Sequence, residues 1–500
     1  MPDPVNLEPA AAPDGAGLRM GTAAGRWVIA TSVLGSGIAF IDATVVNAAL
    51  PSISADLGAD LADLQWVVTG YLLTLSALIV IGGSLGDLRG RRRMFVYGLG
   101  AFAVTSMVCG LAPGVLTLIL ARLAQGSAAA LLLPASLAMI SSTFVREDRG
   151  AAIGAWSGLG GIAGAIGPFL GGWLIAAVSW RAVFFINVPL CAVTMVLAVR
   201  HVPDTRDLEA DPRVDLAGGL TLAAALAGLV YALIEGPPTG WGLVSVVAGV
   251  GGVACFVAFV VVERQSPHPM VPLPLFRSRQ FSGANATTLF VYAAIGATTF
   301  FLVVYLQTGL GYTPLQAGAS LLPITILMLF FSARSGAIAQ RIGPRIPMTI
   351  GPFVVAGGVA LLTRVHPGVT YVDGVLPGAL VLGLGLVITV APLTAAVLAA
   401  VDDHHAGIGS AINNAVARIG SLLAVAVLPA AAGIATAGGA LDIDAGYTRA
   451  MVIASALAAV GGVIAFLTVR RSTPVEVPTR GTVNDSCLPA CMKLEPDVAR

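Results

Sequence analysis

Acidic and basic side chains are scarce in the apolar stretches of this chain, so the few that occur there are the first candidates for chemistry. An ionisable group in hydrocarbon costs several kcal/mol unless it is paired or faces water. Asp42 sits in the run LGSGIAFIDATVVNAALP from Leu34 to Pro51, and Arg122 opens the run Arg122-Leu-Ala-Gln-Gly126. Asp42 lies about eight residues before the outer end of the first apolar segment, and Arg122 about eight residues after the outer end of the fourth. At 1.5 Å per residue both sit about 12 Å deep, so they can meet. Beside a guanidinium in a partly dry space, a carboxylate is pulled two ways: desolvation favours the neutral acid and the cation favours the charged form. Small rearrangements would then load or release a proton. A static ion pair that only fixes helix packing is the competing reading. Arg418 lies deep in the thirteenth apolar segment and Glu235 at the outer end of the seventh; with Asn47, Gln125, Gln307, Asn413 and Asn414 they are candidate cavity-lining residues.

Other chemistries fit poorly. Gly82-Gly-Ser-Leu-Gly86 matches a nucleophile-elbow pattern, but at a helix end and not on a strand-to-helix turn. His201, His268, His366, His404 and His405 all read as loop residues, which leaves no histidine-assisted serine or metal site within the apolar segments. The single lysine, Lys493, excludes a P-loop lysine and with it ATP hydrolysis by this chain. Cys109, Cys191 and Cys255 read as packing residues, and Cys487 and Cys491 as tail thiols short of a four-ligand zinc site. An enzyme is not expected, nor a metal, a cofactor or a nucleic-acid partner. Energy must come from a gradient.

The elements that position these residues follow from solvent. With 57% hydrophobic and 11% charged residues over 500 positions, the chain is too apolar for a water-soluble globule. Segments of about 18 to 25 apolar residues suit helices that cross a bilayer, and none shows the alternation of a barrel strand. The reading is an all-α polytopic membrane protein with fourteen spans at 27–50, 64–86, 94–112, 115–143, 150–177, 182–199, 214–235, 241–262, 281–308, 315–340, 346–363, 374–400, 405–436 and 448–469. One set of alternate loops is rich in arginine, from Arg89, Arg91, Arg92 and Arg93 to Arg341 and Arg345. The other set holds only Arg181, Arg364 and Arg449, so both termini are expected in the cytoplasm. The first apolar run lacks a cleavage site and reads as a retained helix.

An internal repeat divides the spans. Gly83-Ser-Leu-Gly-Asp-Leu-Arg-Gly-Arg-Arg92 after span 2 is echoed by Gly336-Ala-Ile-Ala-Gln-Arg-Ile-Gly-Pro-Arg345 after span 10. Ala152-Ile-Gly-Ala155 is likewise echoed by Gly407-Ile-Gly-Ser410. The expected division is a cytoplasmic segment 1–26, a six-helix bundle 27–199, an inserted pair with its loops 200–280, a second six-helix bundle 281–469 and a disordered tail 470–500. Two like halves around a midplane site are the usual architecture of secondary transporters. In span 5, Gly160, Gly164, Gly167, Pro168, Gly171 and Gly172 make a small-residue stripe broken by proline, which permits close backbone approach and bending. In the loop after span 2, the arginines serve topology. Asp87 is not needed for that and can form a charge latch that breaks when the halves rock.

Together, the Leu34–Pro51 run, Gln65-Trp-Val-Val-Thr-Gly-Tyr71, the Gly83–Arg93 loop, Arg122–Gly126, Gly164–Gly172, Trp180-Arg181, Phe184-Phe-Ile-Asn-Val-Pro189, Tyr305-Leu-Gln307, Gly311–Gly318 and Gly409–Asn414 resemble the fourteen-helix drug:proton antiporter branch of the major facilitator superfamily. The resemblance covers roughly residues 27 to 470. It implies alternating access by two rocking bundles, with inward proton flow driving outward movement of small amphipathic molecules through the plasma membrane. It also implies proton-coupling roles for Asp42 and Arg122. Gly164, Gly167, Pro168, Gly171 and Gly172 correspond to the antiporter motif, and Gly83, Asp87, Gly90, Arg91 and Arg92 to a conformational-switch loop. Leu88 and Gln340 depart from the family pattern. Partners are a small-molecule substrate, protons and the lipid bilayer, and the chain is expected to act as a monomer.

Overall fold

A computed structural model describes residues 17–206, 215–267, 269–401, 406–437, 440–442 and 444–469. The tail 470–500 with Lys493, Cys487 and Cys491, most of the N-terminal segment, and His268, His404 and His405 lie outside the described residues. The helices are α1 (Ala23–Leu57), α2 (Leu61–Arg89), α3 (Arg91–Gly110), α4 (Val115–Thr143), α5 (Arg146–Ala177), α6 (Ala182–Phe185), α7 (Asn187–His201), α8 (Leu216–Glu235) and α9 (Leu243–Gln265). They continue as α10 (Arg279–Thr308), α11 (Pro314–Ala319), α12 (Leu322–Ile342), α13 (Arg345–Leu362), α14 (Tyr371–Leu398), α15 (Ala406–Ala431) and α16 (Asp444–Thr468). Fourteen spans are long and apolar enough to cross a membrane, with α6 and α7 forming one and α11 leading into α12 in another. The chain is a multi-pass membrane protein.

Local chemistry sets the helix ends. Thr22 caps α1 by accepting from the Gly25 amide, and Gly58, at φ 66°, ends it in the left-handed conformation. Asp60 and Asp63 form a capping box that starts α2, and Thr313 and Gln316 form another that starts α11. These reciprocal caps allow tight turns at bundle ends.

α1 packs on α5, α2 on α4, and α3 on α4 and α7; α10 packs on α15 and α16, α13 on α14 and α16, and α12 on α14. The pair α8 and α9 is held together where Gly228 and Gly252 let backbones touch: a Cβ on Gly228 would lie 2.6 Å from the Ala248 carbonyl oxygen. This pair leans on α2. Even helix number brings α1 and α16 to one end of the bundle, here called the terminal end. Among the described residues, the hydrogen bonds joining the first seven helices to α10–α16 lie near the opposite end: Gln65 donates to the carbonyls of Val425 and Ala426, and Gln307 to that of Ala48.

Several expectations need correction. α1 runs to Leu57, so Asp42 lies fifteen residues from its end, not about eight. The sixth span breaks at Ile186. The thirteenth ends at Ala431 and not at 436, and a two-stranded hairpin, Ala435–Ala437 with Ala440–Asp442, leads to α16. His201 is no loop residue but the last residue of α7, its ring stacked on Trp27 at 4.6 Å.

Candidate functional site

Asp42 and Arg122 meet as an ion pair, Nη1 to Oδ2 at 2.5 Å, and both side chains are wholly buried. Five helices hold them. Arg122 donates from Nε to the Val67 carbonyl on α2 at 3.0 Å and from Nη1 to Gln125 Oε1 at 2.7 Å. Its guanidinium lies 4.4 Å above the Tyr71 ring, and Tyr71 donates its hydroxyl to the Ala39 carbonyl on α1. The second oxygen of Asp42 accepts from Gln125 Nε2 at 3.0 Å and from Asn187 Nδ2, at the start of α7, at 2.8 Å. Ser106 on α3 accepts from both amides. Every oxygen of the carboxylate is therefore satisfied, which a buried charge requires.

The candidate lining residues separate into groups. Gln125 does not line open space; it is fully buried inside the ion-pair network. Gln307 joins the halves through Ala48. Glu235 accepts from the indole N–H of Trp66 at 2.9 Å, tying α8 to α2, and is not brought to Asp42. Among the described residues, Asn413 donates to Asn285 and Thr288 on α10, Asn414 only to Ser410 of its own helix, and the buried Oδ1 of Asn47 has no partner. Arg418 on α15 lies 5.1 Å above the ring of Phe40 on α1, so its guanidinium stands between the two halves.

The stripe on α5 works on two sides. Thr44 of α1 donates to the Gly164 carbonyl at 2.8 Å, and Cβ atoms added at Gly167 and Gly171 would strike Thr44 and Val45. On the other side, a Cβ on Gly172 would run into the Pro314 carbonyl, and one on Gly318 into the Pro168 carbonyl. Gly172 and Pro168 thus form a reciprocal backbone contact with α11, across the halves.

In the loop between α2 and α3, Asp87 pairs with Arg91 at 2.7 Å. Gly90 takes φ 105°, where a Cβ would also lie 2.8 Å from Asp204 Oδ1. The Arg91 amide donates to Thr205, Arg92 donates to the Val202 carbonyl, and Arg93 pairs with Asp204 at 2.9 Å. The latch is therefore local to the first half, and Gly83, facing Pro134, only closes the helix contact behind it.

Asn187, Ser106 and Asp204 had no assigned part. Asn187 and Ser106 carry a detectable signal, polar residues in apolar runs, but nothing in one dimension separates them from the many Ser and Thr that bond their own helix.

A family model described as Major Facilitator Superfamily matches residues 32–425. The chain is 36% identical over 405 residues to multidrug resistance protein Stp of Mycobacterium tuberculosis, covering 80% of this chain and 74% of that one. It is 34% identical over 466 residues to puromycin resistance protein pur8 of Streptomyces alboniger, covering 89% and 92%. To the tetracenomycin C resistance and export protein of Streptomyces glaucescens it is 34% identical over 394 residues, covering 78% and 72%. A crystal structure of a POT family transporter in complex with 5-aminolevulinic acid shares the fold at a TM-score of 0.66 and 12% identity, covering 90% of this chain and 98% of that one. Fourteen apolar spans, paired bundles and these sequence matches agree: the chain is a transporter of the Major Facilitator Superfamily.

Proposed function

We propose that this transporter exports small amphipathic molecules in exchange for protons, as a monomer without a cofactor or catalytic activity, from the plasma membrane with both termini in the cytoplasm. The named resistance and export relatives support the direction, and the arginine-rich loops at the terminal end support the orientation. The observation that carries the coupling is the wholly buried Asp42–Arg122 pair. In this reading the end sealed by Gln65 and Gln307 opens with substrate aboard, and a proton entering from outside through that open end reaches Asp42 and removes the charge that holds Arg122 as the substrate departs outward. The protonated carrier closes that end again, and loss of the proton to the cytoplasm restores the Asp42–Arg122 pair, so protons move inward as substrate moves outward. Proteoliposomes with an imposed pH gradient test this: substrate should move against the proton flow, and Asp42→Asn should abolish the dependence on the gradient. Movement with the protons would show uptake instead, and unimpaired coupling in the variant would remove Asp42 from its role.

A further inference from the structure

Among the described residues, four ionisable side chains, Asp42, Arg122, Arg334 and Arg418, lie seven residues or more inside helices that meet at the join between the halves, and of these Arg334, eight residues from the end of α12, is exposed. The first two neutralise each other within the first half. Arg418 has no carboxylate and no hydrogen-bond acceptor among the described residues, and its electrostatic neighbours are the neutral phenols Tyr71 and Tyr292. The net charge of this inner set is therefore positive. Arg418 is twelve residues into α15 and thirteen from its end, about 18 Å from either mouth of the helix, too deep to snorkel to the water outside the bilayer by extending its side chain.

An unpaired guanidinium at that depth is expensive, and the usual compensation is an anion. The surroundings say what kind. Phe40 covers the guanidinium on one face, and Phe40, Tyr292, Asn413, Asn414 and Arg418 itself are only half-buried, so aromatic and amide surface remains open beside the cation. A planar cation stacks on flat rings and pairs with carboxylate or other acid oxygens in its own plane.

We propose that Arg418 is the counter-ion of the transported molecule, and that the substrates are small organic anions with an apolar ring body. The proposal deepens the export reading and rests on it for the word substrate. It makes Arg418 a specificity residue of the second half, distinct from the proton-linked pair of the first. The competing role is a structural cation–π anchor between α1 and α15, and such an anchor is indifferent to ligand charge.

The test uses the full-length protein in lipid nanodiscs and two dyes with one xanthene frame and opposite charge, fluorescein and rhodamine 123. Binding is read by fluorescence anisotropy. The wild type should bind fluorescein about tenfold or more tightly than rhodamine 123. Arg418→Gln should weaken fluorescein by about tenfold with rhodamine 123 unchanged, Arg418→Lys should keep most of the preference, and Arg418→Glu should invert it. Preference for the cation, no preference, no binding of the anion, or parallel loss of both dyes in a monodisperse Arg418→Gln protein would each overturn the proposal. The wild-type comparison stands even where a variant fails to fold. Gradient-driven flux is measured separately in proteoliposomes. Anion-selective binding without such flux would sink the export reading alone, whereas gradient-driven efflux of rhodamine 123 over fluorescein would sink this proposal alone.

Discussion

Asp42 is held by three donors from two helices, and their contributions are separable. Asn187 and Gln125 share one carboxylate oxygen, while Arg122 holds the other. Replacing Asn187 by Ala removes a buried hydrogen bond to a charge, worth about 1.5–3 kcal/mol, and leaves Gln125 as the only amide on that oxygen. Its expected signature is a lowered melting temperature in nanodiscs together with weaker retention of the carboxylate charge, so that coupling persists to a lower proton gradient than in the wild type. An unchanged melting temperature would mean that water takes the place of the amide. Asp42 and Arg122 were legible as a pair because each is an ionisable residue in an apolar run that needs a partner, although the depth count placed Asp42 too near the end of α1. Asn187 was quoted within a motif, but its partner lies 145 positions away and is set by how α7 turns after the break at Ile186.

At the scale of elements, the crossing of α5 with α11 depends on the absence of side chains at two points. Gly172 meets the Pro314 carbonyl and Gly318 meets the Pro168 carbonyl, backbone that cannot step aside as a flexible side chain would. Gly318→Leu should wedge the two helices apart. The expected outcome is a longer distance between spin labels on the ends of α5 and α11 away from the terminal end, with the Asp42 network intact; an unchanged distance would show that α11 slides instead. The loop between α2 and α3 makes a second prediction. Gly90→Ala asks a residue with a Cβ to hold φ 105° against Asp204, a conformation costing about 1–2 kcal/mol for most residues. It should release Arg93 from Asp204 and speed hydrogen exchange over residues 202–205, whereas Gly83→Ala, 3.4 Å from Pro134, should leave that exchange unaltered.

For the whole molecule, the question is what keeps one end shut. Gln65 Nε2 reaches the Val425 carbonyl at 2.7 Å and the Ala426 carbonyl at 3.3 Å, and is buried. Gln65→Ala removes a contact worth about 1 kcal/mol, which changes a two-state ratio about fivefold. The ratio of sealed to open molecules at this end should fall by that factor, measured from the fractions of short and long distances between labels on α2 and α15. No change would place the seal at Gln307 and the glycine crossing. Glu235 belongs to this scale too: through Trp66 it anchors the extra pair α8 and α9 to α2, so Glu235→Gln should leave ligand binding alone and loosen that pair, seen as faster exchange in α8.

Hydropathy is a one-dimensional consequence of the solvent, so the sequence alone determined fourteen spans, the helical class and the arginine-rich side. It also marked which residues would have to answer for a charge in hydrocarbon. Partner choice depends on the rotation of each helix about its axis and on crossings between segments far apart in the chain, and neither leaves a periodic trace. Only the tertiary structure decided that Gln125 belongs to the ion pair and not to a cavity wall, that Asp87 closes on Arg91 within its own loop, and that one face of the α5 stripe meets the other half of the molecule. It likewise decided that Arg122 finds an acid while Arg418, equally cationic and deeper in its helix, faces aromatic rings with no acid beside it among the described residues.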